Sequence, residues 1–198
     1  FRQFWKDFGG STQDEAGRAC PANRIDFTMA MAYCNWLSEV EGISKDQWCF
    51  EHDSGAQLRP AVDCLTRIGY RLPIEAEWEY ACRAGTQTVR HDGFGDEFLS
   101  RYAWYQANSN RQSHPVGLLK PNDWGLFDIF GNALEWCLDR YDLQPTGDPV
   151  TSEKKAMRVI RGGSYSYAAG DLGCAERLGV HVDSPLPGYG FRVIRTLR

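Results

Sequence analysis

From residue 86 onward the chain never holds one hydrophobic period for long, and turn formers interrupt it throughout. Pro121-Asn122-Asp123, Gly125, Gly131-Asn132, Gly147-Asp148-Pro149, Gly162-Gly163 and Pro185-Leu186-Pro187-Gly188 punctuate this half. Gly supplies positive φ, Pro presets a turn, and Asn or Asp can bond the nearby backbone, so each cluster marks a chain reversal. A helical bundle cannot be built from such a segment, whereas short strands joined by turns can. The 7 Trp, 9 Tyr, 10 Phe and 20 Gly, set against only 3 Met, point the same way. They suit a loop-rich fold held by aromatic anchors.

The first half does carry helical periodicity. Residues 29–40 read as a helix capped by Thr28, with Met29, Tyr33, Trp36, Leu37 and Val40 on its buried face and Gly42 as its stop. Pro73 and Ile74 open a second helix through Glu75–Cys82, whose early acidic residues suit the macrodipole; Gly85 ends it. Phe1, Phe4, Trp5 and Phe8 predict a short amphipathic helix over 1–9, followed by a polar loop over 10–23. Residues 45–69 show little regularity. Two early helices followed by irregular β structure predict one α+β domain spanning 1–198.

Bulk properties exclude several classes. A net charge of -4 and a pI near 5.6 leave no basic field for nucleic acid. No apolar run approaches the ~20 residues of a membrane span, and the opening residues do not resemble a signal peptide. The chain starts without Met inside a patterned segment, which suggests the C-terminal module of a longer protein fused to other domains. Seven cysteines (20, 34, 49, 64, 82, 137, 174) form no CxxC. They read as mostly buried thiols and favour a cytoplasmic setting.

Three strips carry a family resemblance. They are Arg71-Leu72-Pro73-Ile74-Glu75-Ala76-Glu77-Trp78-Glu79-Tyr80-Ala81, then Asn122 to Trp136 with Gly125-Leu126, Asp128, Gly131-Asn132 and Glu135-Trp136, then Arg161-Gly162-Gly163-Ser164 with Gly190-Phe191-Arg192. Together they resemble the formylglycine-generating enzyme (sulfatase-modifying factor) family, which implies a variant of the C-type-lectin fold. Ile74 stands where the family carries Thr. Glu75, Glu77 and Glu79 alternate along a helix and so need not share a proton. Arg71 and Arg192 are expected to pair with framework acids.

The resemblance implies chemistry that can be checked residue by residue. Oxidase members of the family hold copper with two cysteines after the GGS strip, because soft thiolates suit Cu(I). Tyr167 and Leu172 stand near those positions here, so no copper site is expected. Cys174 matches a structural cysteine whose partner aligns with Cys82, making Cys82–Cys174 a candidate disulfide. The partner position of Cys34 falls near Val193. His52, His91, His114 and His181 lack the spacing of an iron site. The family also implies a structural Ca2+ held by Asp128, the carbonyls of Gly131 and Ala133, and Glu135. The competing reading is a tight turn with Asn132 bonded to its own backbone and Glu135 in a salt bridge.

Between the last two strips lies 165–189, a segment without evident periodicity. Tyr with small residues is the composition of adaptable protein-binding surfaces. Tyr165, Ser166, Tyr167, Asp171, Leu178, Val180, His181, Asp183, Ser184, Leu186 and Tyr189 are the candidate contacts for a protein or other macromolecular ligand. The arrangement also resembles variable proteins of diversity-generating retroelements, whose adenine-directed mutagenesis leaves Lys, Glu, Gln, Met and Trp out of reach. In 165–189 only Glu176 breaks that rule. The expectation is a non-catalytic binding module; the alternatives are a copper-dependent oxidase acting on sulfatases and an accessory domain of a bacterial signalling protein.

Overall fold

The computed structural model describes Phe4 and residues 19–141 and 157–197. The helix expected over 1–9, apart from Phe4, and the turn at Gly147-Asp148-Pro149 lie outside the described residues.

Helix α1 spans Phe27–Val40 and α2 spans Glu75–Arg83. Among the described residues, eight short strands accompany them: β1 Phe50–His52, β2 Leu58–Pro60, β3 Tyr70–Arg71, β4 Leu134–Arg140, β5 Met157–Arg161, β6 Arg177–His181, β7 Tyr189–Gly190 and β8 Ile194–Arg195. The α+β class holds.

The main sheet has the order β6-β5-β4-β7, with β4 parallel to β7 and the other neighbours antiparallel. Successive side chains on a strand face opposite sides, and both sides are covered here. Leu134, Trp136, Leu138 and Ile160 join a core with α1 and β1, while Cys137 and Val159 join a second core with Trp78 and Cys82 of α2. Burial on both faces leaves β4 (Leu-Glu-Trp-Cys-Leu-Asp-Arg) and β5 (Met-Arg-Val-Ile-Arg) without the inside–outside alternation of a half-exposed strand.

Several sequence expectations need correction. The cap of α1 is Asp26, whose Oδ1 accepts from Met29 N at 2.7 Å, and Thr28 is an exposed first-turn residue. Asp caps at least as well as Thr, so a start two residues earlier is equally available. The buried face is also rotated: Phe27, Ala30, Met31, Cys34, Asn35 and Ser38 face inward, whereas Val40 is 62% exposed. Small side chains let the helix approach β3, and the buried polar ones bond neighbouring backbone, although among the described residues Asn35 Oδ1 makes no hydrogen bond. Asn35 Nδ2 donates to Phe50 O at 2.8 Å, and Ser38 Oγ accepts from Tyr70 N at 2.9 Å. The large aromatics pack on each other instead, Tyr33 meeting Phe4 and Phe191 edge-on at 5.3 Å.

Residues 45–69 contain a 3-10 turn and the β1–β2 hairpin. Asp53 organises the hairpin loop by accepting from Gly55 N and Gln57 N. Helix α2 begins at Glu75 and ends with Ala84, not Gly85, in the left-handed C-cap position. Segment 165–189 is more regular than its sequence suggests, since it contains a 3-10 turn at Ala169–Asp171 and all of β6.

Candidate functional site

The three strips converge around α2 and β4. Arg71 grips Glu77 with both terminal nitrogens at 2.7 Å, and Glu77 Oε2 also accepts from Ile74 N. Arg161, fully buried, reaches Glu79 at 2.6 Å and lies over the Trp78 ring at 5.1 Å. It also donates to the carbonyls of Cys174 and Glu176, so this strip anchors the chain leading into β6. Glu75 pairs with Arg177 at 2.8 Å. Arg161 also stands 3.6 Å from Glu75, so Glu75 and Glu79, one turn apart, share it, while Glu77 serves Arg71 on another side of the helix.

Glu135 receives Trp78 Nε1 at 2.7 Å and both prongs of Arg192 at 2.8 and 3.0 Å. The expected framework pairing of Arg71 and Arg192 is what the geometry shows. Asn132, left-handed at φ 57°, is buried: its side chain accepts from His114 N and donates to His114 O, both at 3.0 Å. Asn is among the few residues that take this backbone readily. Gly131 has no such substitute, because a Cβ there would sit 2.1 Å from Trp104 O.

Segment 165–189 is fastened by its backbone along both flanks. At the first, Tyr165 N donates to Asn132 O at 3.2 Å, Ser109 Oγ donates to Tyr165 O at 2.7 Å and Gln106 N donates to Tyr167 O at 2.9 Å. At the other, Gly188 N donates to Asn23 Oδ1 at 2.7 Å, Leu134 N to Gly188 O at 2.8 Å, Ile25 N to Tyr189 O at 3.0 Å and Phe27 N to Val182 O at 3.1 Å. Ser109, Gln106 and Asn23 were not singled out in the sequence. Their roles depend on backbone groups distant along the chain, which no local pattern reveals.

Among the candidate contacts, Ser166, Asp171, Leu178, His181, Asp183 and Leu186 are exposed, while Tyr165, Tyr167, Val180, Ser184 and Tyr189 are half-buried. Tyr167, Asp171 and Leu178 share a small hollow of about 90 Å³. Strand alternation puts Leu178 and Val180 on one face of β6 and His181 on the other. His181 Nδ1 stands 3.6 Å from Asp183 Oδ2. Val180 and Tyr189 pack on the α1-side core, and Tyr167 contacts both cores. Burial pushes the Tyr167 and Tyr189 phenols above their ordinary range, which favours the neutral hydroxyl. Leu172 is buried against Gly163, where an added Cβ would fall 2.1 Å from Leu172 Cδ2.

The sulfurs of Cys82 and Cys174 lie 3.4 Å apart as a buried thiol pair, and all seven cysteines are free. Burial raises the Cys82 thiol, whereas the hydrogen bond from Cys82 lowers that of Cys174.

Asp128, Asn132, Ala133 and Glu135 line a second, larger cleft of about 410 Å³ with Arg192. Asp128 accepts from Gly117 N at 2.8 Å and Asn132 Nδ2 at 3.3 Å, and burial raises its carboxyl above the usual range. For the four expected calcium donors, the difficulty is Glu135. Both of its oxygens already serve Arg192, so a calcium ion there would have to displace or share with a guanidinium. Among the described residues, no group of three or more His, Cys, Asp or Glu side chains is arranged to hold a metal. No described helix is long and apolar enough to cross a membrane.

The profile of the sulfatase-modifying factor enzyme 1-like domain matches residues 2–197. A serine/threonine-protein kinase pkn1 of Chlamydia pneumoniae is 33% identical over 138 residues, covering 66% of this chain and 22% of the kinase. The formylglycine-generating enzyme of Streptomyces coelicolor is 39% identical over 115 residues, covering 49% of this chain and 36% of the enzyme. The chain thus spans well under half the length of either relative. The solved structure of Treponema denticola variable protein 1 superimposes with a TM-score of 0.76 at 30% identity, covering 94% of this chain and 75% of that one.

Proposed function

The chain belongs to the sulfatase-modifying factor enzyme 1-like family and has its C-type-lectin-like fold, and from that premise we propose that it is a non-catalytic module recognising a protein ligand through 165–189. The observation that carries this reading is the division of labour in that segment. Framework groups at Asn23, Ser109, Asn132 and Leu134 hold its backbone at both flanks. Six of its candidate contact side chains are exposed and have no part in the core. A backbone held independently of its side chains tolerates changed side chains, which is what a recognition surface needs.

The likeness to a variable protein supports a finer version, in which these positions are diversified through a retroelement. Tyr167 and Leu172 support the non-catalytic part, because neither offers the thiolate that Cu(I) prefers. Their burial also leaves the fold using both side chains as packing.

A library randomising Ser166, Asp171, Leu178, His181, Asp183 and Leu186 tests the proposal. Most members should fold and some should bind immobilised proteins that the parent ignores. General unfolding of the library would sink the display reading. Copper-dependent oxygen consumption with a Cys-x-Pro-x-Arg peptide would establish the oxidase instead.

A further inference from the structure

The 90 Å³ hollow lies within the surface proposed above for recognition, and its occupant is inferred on that reading. Tyr167 and Leu178 line it, and Asp171, Glu176, Arg161 and Arg177 supply the charged part of its lining. The volume is well below the ~300 Å³ at which small-ligand pockets begin. It therefore suits one side chain of a docking protein rather than a whole free ligand.

Both arginines of the hollow are already engaged. Arg161 bonds Glu79 at 2.6 Å and the carbonyls of Cys174 and Glu176. Arg177 holds Glu75 through Nε at 2.8 Å and Nη2 at 2.9 Å. Asp171 and Glu176 are exposed and, among the described residues, take part in no ion pair. Two carboxylates of the hollow are thus left without a cation. The rest of the segment carries the same sign. Its exposed acids are Asp171, Glu176 and Asp183, while Arg177, the one Arg or Lys of 165–189, is half-buried on Glu75. Such a face selects a basic partner by charge complementarity.

We propose that the hollow seats an arginine side chain of a partner protein, with its guanidinium bonding Asp171 and Glu176 against the Tyr167 ring and its stem along Leu178. A guanidinium is a planar fork of five donors, so it can serve two separate carboxylates and stack on an aromatic face at once. Its methylene stem buries well on apolar surface. A lysine ammonium supplies the charge without the plane. An acidic side chain would meet two like charges, and an aliphatic one would leave both carboxylates unused. Arginine in a pocket is also a recurrent anchor at the centre of protein interfaces.

The test is titration of the 15N-labelled chain at low salt with Nα-acetyl-arginine-N-methylamide, its neutral citrulline counterpart and its lysine counterpart. The arginine derivative should shift the amide signals of Gly163, Tyr167 and Leu178 in a saturable way, with a Kd on the order of 1 mM for a single side chain. The citrulline derivative keeps the shape and loses the charge, so it should bind at least about tenfold more weakly. The lysine derivative should bind several-fold more weakly than the arginine one. Asp171→Asn/Glu176→Gln changes only exposed side chains. It should keep the parent's melting temperature and lose arginine binding by about tenfold or more. Equal binding of the citrulline or lysine derivative, undiminished binding by the folded double variant, or no saturable shift would overturn the proposal. Each of these results leaves the library experiment standing, because binders can arise at Ser166, His181, Asp183 and Leu186 with the hollow empty. General unfolding of the library would sink the display reading, whereas the titration reads the hollow directly.

Discussion

Arg192 closes on Glu135 with Nε 3.0 Å from Oε2 and Nη2 2.8 Å from Oε1, joining the last sequence strip to the middle one. Glu135 is almost wholly buried and also accepts from Trp78 of α2, so a single carboxylate gathers β4, α2 and the segment after β7. Breaking one side of such a pair leaves a buried charge without a partner. Arg192→Ala is expected to destabilise the fold by about 2–3 kcal/mol, lowering Tm by roughly 5–10 °C. Glu135→Gln/Arg192→Gln together should cost less than the sum of the singles, measurable by a double-mutant cycle in urea.

The same pair sets the terms for calcium. Binding through Asp128, Gly131, Ala133 and Glu135 requires Glu135 to leave Arg192, so the guanidinium competes with the ion. Arg192→Gln is expected to tighten Ca2+ binding by about tenfold or more relative to the parent chain, the effect of about 1.4 kcal/mol of relieved competition. Calorimetric titration of both proteins checks this. Identical affinities would remove Glu135 from the ligand set.

Cys82 and Cys174 are separated by 92 positions and their sulfurs by 3.4 Å. Mild oxidation is expected to join them, and closing so long a loop contributes about 4 kcal/mol in the chain-entropy model. Tm should rise with oxidant and fall back with reductant. Cys174→Ser should abolish the difference, and peptide mapping should find the linked pair. A linkage involving other cysteines would refute the pairing.

The fasteners of the display segment should be separable from its surface. Ser109→Ala removes the hydroxyl that donates to Tyr165 O and should cost about 1 kcal/mol. Asp183→Ala and Leu186→Ala, on exposed side chains, should stay within about 0.5 kcal/mol of the parent. Chemical denaturation of the three variants decides whether framework and surface are independent.

His91 gives the fold a pH dependence. Burial against Tyr102 and Phe130, ring to ring at 5.0 and 5.2 Å, holds its imidazole below the usual histidine range. The unfolded chain then binds the proton first, so stability from this group is present above the unfolded value and is lost as pH falls through the folded one. His91→Gln should flatten the decline in Tm between neutral and mildly acidic pH. An unchanged slope would assign that decline to other groups.

Much of this architecture is legible in the residues. Glu77 lies on a different side of the helix from Glu75 and Glu79, so its pairing with Arg71 while the other two meet Arg161 follows from helical geometry. Glycine pairs and Asn132 mark the positions where the backbone turns left-handed. Reading α1 from its large hydrophobics gave the wrong buried face, because close approach to β3 selects the small Ala30, Cys34 and Ser38 instead. The β1–β2 hairpin escaped notice because its strands are three residues each, too short for alternation to declare itself.

The sequence by itself determined the family, the α+β class and the two strips that bracket 165–189, because these rest on local chemistry: clustered turn formers, two segments of helical periodicity and a helix rich in acids near its start. Only the tertiary structure decided what those residues do for one another. Asn23, Ser109 and Asn132 reach the bracketed segment across 165, 56 and 33 positions, and Arg192 takes up Glu135. Such pairings depend on which buried charges and backbone groups the folded chain brings within hydrogen-bond distance, and that is settled by packing rather than by spacing along the chain.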